Sequence, residues 1–120
     1  MKYLFMIFLV LNFLAETMAA VTLIGGPEGL AAAGQGGQWS MHYGFAVIAI
    51  ASASLWVWPY RLDRRVVTAV LGILLVFHVA VAISLTAAGD QAFGMVLHTM
   101  LAVLAVVLFL ARGRFCEEPA

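Results

Sequence analysis

Four runs of about twenty apolar residues, parted by short polar breaks, make up almost the whole chain. They cover residues 3–24, 39–58, 66–88 and 92–111. A helix rises about 1.5 Å per residue, so a run of this length crosses a hydrocarbon core of about 30 Å. Inside such a core the backbone finds no water, and each run must satisfy its own polar groups as a helix. The chain is 120 residues long, 65% hydrophobic and only 10% charged. A soluble domain of that size needs far more polar surface. The expected fold is all-α: a four-helix transmembrane bundle, antiparallel, forming one integral membrane domain over residues 1–120.

The breaks carry the usual helix-ending signals. Gly25-Gly26-Pro27 stops the first run and opens an outer loop, 25–38, with six glycines. Pro59 closes the second run, and Arg61-Leu62-Asp63-Arg64-Arg65 reads as a charged turn. Gly89-Asp90-Gln91 reads as a tight turn, and Arg112-Gly113-Arg114 ends the fourth run. Short turns make the second, third and fourth helices sequential antiparallel neighbours. Gly34-Gln35-Gly36-Gly37 lacks the Lys-Ser/Thr ending and the preceding strand of a phosphate loop, and reads as flexible connection. Lys2, the apolar stretch after it and Thr17-Met18-Ala19 share the layout of a signal peptide. The apolar run continues past that point to Ile24, so it reads as a retained first transmembrane helix.

Basic residues set the expected orientation, because positively charged flanks stay cytoplasmic. All six fall at Lys2, Arg61, Arg64, Arg65, Arg112 and Arg114. Loops 25–38 and 89–91 have none. Both termini are then expected in the cytoplasm and the chain in a bacterial inner membrane. Trp56, Trp58 and Tyr60 would form the inner aromatic belt and Trp39 the outer one. The net charge of zero gives no footprint for nucleic acid. The single cysteine, Cys116, excludes a disulfide framework and a Cys-rich metal cage. It reads as a reduced thiol, with palmitoylation as the alternative.

Against this apolar background four ionisable residues stand out. Glu16 lies inside the first run, and His42, His78 and His98, the only histidines, fall one in each of the others. A charged group at membrane depth costs several kcal/mol unless it is paired or faces a cavity. Counted from the outer helix ends, Glu16 lies about 12 Å deep, His78 about 15 Å, His98 about 10 Å and His42 about 5 Å. Small residues share their faces: Ala46, Ala49 and Ala53 with His42, Gly94, Ala102 and Ala105 with His98, Ala19 and Ala20 with Glu16, and Ala82 with His78. Small residues mark helix contacts in membranes, so all four groups are expected to point inward. Asn12, one turn from Glu16, and Tyr43 are the expected supporting hydrogen-bond partners.

Several functions use such a cluster. Neutral imidazole is the commonest metal ligand. His78 and His98 can serve as axial ligands of a b-type haem in an electron-transfer subunit, with His42 as substitute. Alternatively His42, His78, His98 and Glu16 can hold one transition-metal ion such as zinc, iron or copper. Where His78 and His98 are the ligands, Glu16 is expected as the charge partner that fixes an imidazole tautomer. A buried carboxylate can instead exchange a proton for a substrate in proton-coupled transport. Ala15-Glu16 in the first helix resembles the small multidrug resistance transporters, which are four-helix proteins of about this length. Their Trp and Gly pattern in the third helix is absent here, and their helices carry no three-histidine set, so the resemblance is confined to that pair. Glu16 with a histidine can also serve acid–base catalysis on a lipid-soluble substrate. A chain with so little soluble mass is also suited to be a binding or accessory subunit of a larger membrane complex, or a homo-oligomer. The leading expectation is such a subunit, with the cluster holding a haem or a metal ion.

Overall fold

The structure is a computed structural model that describes residues 1–34, 39–89 and 91–117. The described residues are helical throughout apart from turns and one isolated bridge, Asp63 to Glu117. Four helices are long and apolar enough to cross a membrane. They are α1 (Lys2–Gly25), α2 (Trp39–Val57), α3 (Arg64–Ala88) and α4 (Ala92–Ala111). Gln35, Gly36 and Gly37 of the glycine-rich stretch, and Asp90 of the expected tight turn, lie outside the described residues.

Helix ends follow local chemistry. Pro59 turns the chain from α2 into a 3₁₀ turn, Trp58–Tyr60. α3 begins at Arg64, two residues before the expected start at 66, because Asp63 caps it. The Asp63 carboxylate accepts from the backbone N–H of Arg65 at 2.8 Å and of Val66 at 3.2 Å, which satisfies donors no helix turn can reach. Arg64 and Arg65 are therefore helical rather than part of a turn. α3 ends at Gly89, whose φ of 74° is left-handed and whose N–H donates to Leu85 O at 3.0 Å.

Packing groups the chain into two compact units, Met1–Phe8 with Val57–Ala120, and Leu9–Trp56. In the first, α3 and α4 lie antiparallel. α3 buries Val67, Leu71, Leu74 and His78, and α4 buries His98, Leu101, Ala102, Ala105 and Leu108. These positions recur at three- and four-residue spacing, one stripe per helix. The remaining faces are apolar but exposed, Ile73, Val76, Ile83, Val96 and Leu110 among them. That distribution suits a helix whose outer surface meets lipid rather than water. The tail folds back on the start of α3: Glu117 N–H donates to Leu62 O at 2.7 Å, and the Phe115 ring lies 5.5 Å from that of Phe5. These contacts gather Lys2 and the five arginines at one end of the unit.

In the second unit the buried positions of α1 are Leu9, Asn12, Glu16 and Ala20. Those of α2 include Val47, Ala51 and Ser54. The two helices approach closely at Gly44. A Cβ there would stand 2.8 Å from Ile24 Cγ1 and 3.0 Å from Leu23 Cβ, so only glycine fits.

Candidate metal centre

His78 and His98 are built into the α3–α4 seam as the last buried position of one helix and the first of the other. His78 is fully buried and His98 is 7% exposed. Their Nδ1 atoms are 3.0 Å apart. Their rings tilt at 44° with centroids 5.2 Å apart. Phe77 presents its ring to both, at 5.3 Å from His78 and 5.9 Å from His98, and Phe8 meets His78 edge-on at 6.3 Å. The two imidazoles thus pack against aromatic rings, edge to face.

Glu16 supplies a third donor from α1. It is 1% exposed. One ligand atom each from Glu16, His78 and His98 lie within 4.8 Å of one another, all three residues being buried. A buried carboxylate is expensive unless a cation or hydrogen-bond donors meet it. Two nitrogens and a carboxylate oxygen at this spacing can hold a metal ion. An ion about 2.1 Å from two nitrogens 3.0 Å apart sees them at an angle of about 90°. That angle is normal for adjacent ligands of a transition metal.

His42 departs from expectation. It is exposed, its ring meets Trp39 edge-on at 6.4 Å, and it is not in the group formed by Glu16, His78 and His98. The buried side of α2 runs through Gly44, Val47, Ala51 and Ser54, not through Ala46 and Ala49. Small residues lie on every face of α2, so their presence beside His42 carried no direction.

The supporting residues divide. Tyr43 is 41% exposed and stands within electrostatic reach of Glu16. Asn12 is fully buried, and its amide donates to Ser54 Oγ at 2.9 Å and to Ile50 O at 3.4 Å. Ser54 was not anticipated. α2 also holds Ser40 and Ser52, and its apolar pattern gives no sign of which serine faces inward. Cys116 is half-buried outside the spans, and burial pushes its thiol up, with Arg64 and Arg112 opposing and Asp63 adding to the rise.

No protein-family model matches this chain, and no curated protein or solved structure is significantly similar to it. The functional reading rests on the site alone.

Proposed function

We propose that this integral membrane protein is a binding module for one divalent transition-metal ion, held by Glu16, His78 and His98. The observation that carries the reading is the convergence of one carboxylate and two imidazoles within 4.8 Å in an apolar interior. Two histidines and a carboxylate are the ligand set of catalytic zinc sites and of non-haem ferrous sites. Three protein ligands leave at least one position open, so the module can also bind a small ligand or pass the ion to a partner. The carboxylate offsets half the ion's charge, which lowers the cost of holding it among apolar side chains.

The orientation proposed for the module is cytoplasmic at both termini. Its support is that Lys2, Arg61, Arg64, Arg65, Arg112 and Arg114 flank one set of helix ends, while the described loop residues at the other carry none.

The test is metal analysis of protein purified without chelator and redialysed against Zn²⁺ or Fe²⁺. The wild type should retain about one equivalent. Glu16→Gln should weaken retention, and His78→Ala and His98→Ala should abolish it. His42→Ala should bind like the wild type. Metal-free wild type under every condition, with the three variants losing only thermal stability, would reduce the group to a packing device.

A further inference from the structure

The unit that holds α3 and α4 carries an open apolar groove of about 690 Å³ on its outer surface. Its floor is one face of α3, made by Ala69, Gly72, Ile73 and Val76. Phe109 of α4 forms a wall. Thr68 stands at one end with its hydroxyl already donated to Arg64 O at 2.6 Å, so it offers the groove no free donor. Phe77 closes the other end with the ring that touches both histidines.

Beyond the Thr68 end, outside the lining itself, stand the basic ends of α3 and α4. Arg65 is exposed and precedes Ala69 by one helical turn, on the same face. Arg112 lies over the Phe109 ring at 4.2 Å and donates to the Phe109 carbonyl. Two acids share that end of the unit: Asp63 uses its carboxylate to cap α3, and Glu117 is held beside Leu62 by its backbone, against five arginines and Lys2. From Thr68 to Phe77 is about 13 Å of helix. One leaflet of hydrocarbon is about 15 Å, half of a core of about 30 Å. A chain anchored at the arginines therefore reaches Phe77 near the membrane's midplane.

We infer that this groove docks an anionic phospholipid of the surrounding bilayer, with its headgroup on Arg65 and Arg112 and one acyl chain laid over Gly72 as far as Phe77. Charge complementarity selects the headgroup and the match between groove and leaflet selects the chain. The inference does not depend on the metal. It gives the histidine pair a wall, Phe77, that a bound lipid touches from outside.

Full-length protein in mild detergent, given phosphatidylglycerol or phosphatidylcholine and read by native mass spectrometry, tests it. The wild type should retain phosphatidylglycerol in preference to phosphatidylcholine. Arg65→Gln and Arg112→Gln should each lower phosphatidylglycerol retention by about fivefold. A Cβ on Gly72 meets nothing within 4 Å, so Gly72→Leu can start a side chain into the groove without a clash at Cβ. It should abolish retention of both lipids with helicity unchanged, and Ala69→Leu, at an exposed position, should repeat that result. Equal retention of the two lipids by the wild type, or undiminished retention by both groove-filling variants, would overturn the inference.

Discussion

The Nδ1 atoms of His78 and His98 meet at 3.0 Å, although twenty positions separate the two residues in the chain. Without metal, that contact is a hydrogen bond, and it imposes opposite tautomers. One imidazole must carry its proton on Nδ1 and donate, while the other accepts and keeps its proton on Nε2. A metal held at both Nδ1 atoms forbids this arrangement, because each must then present a lone pair.

That exclusivity is directly readable. Nitrogen NMR of the histidine-labelled, metal-free protein should show one Nδ1–H and one Nε2–H ring from this pair. Saturation with Zn²⁺ should convert both to the Nε2–H form. An unchanged mixture of tautomers in zinc-saturated protein would remove the Nδ1 atoms from the ligand set.

The Asn12–Ser54 hydrogen bond ties α1 to α2 inside an apolar unit. Hydrogen bonds between membrane helices contribute about 0.6–2 kcal/mol. Ser54→Ala should therefore destabilise the protein by about 1 kcal/mol, and a double-mutant cycle with Asn12→Leu should recover a coupling of about that size. Unfolding in graded denaturing detergent gives the values. Additive losses would mean that the two side chains act separately.

Gly44 sets the closest approach of those helices. Gly44→Leu drives a side chain into Ile24 and Leu23 and should cost about 1–3 kcal/mol. Ala49→Leu, on an exposed face of the same helix, should be near neutral. Thermal unfolding of the two variants side by side checks this, and equal melting temperatures would contradict the close approach.

The apolar runs by themselves determined the helices. Length, the Gly-Pro stop after Ile24 and the Pro59 break place four spans within a residue or two of where they stand, because in hydrocarbon a backbone has no other way to satisfy itself. The α3 start was missed by two residues, since the capping bond from Asp63 outweighs the look of a charged turn. The sequence also singled out Glu16, His78 and His98, because ionisable groups stand out in apolar runs. Direction around the helix was another matter. α3 and α4 concentrate their buried residues in a stripe, and His98 with Ala102 and Ala105 was placed correctly. α2 is apolar on all sides, so nothing in its pattern turned His42 outward or Ser54 inward. Only tertiary packing decided that, since it is the neighbour a face meets, not the polarity of the face, that distinguishes protein from lipid in a membrane.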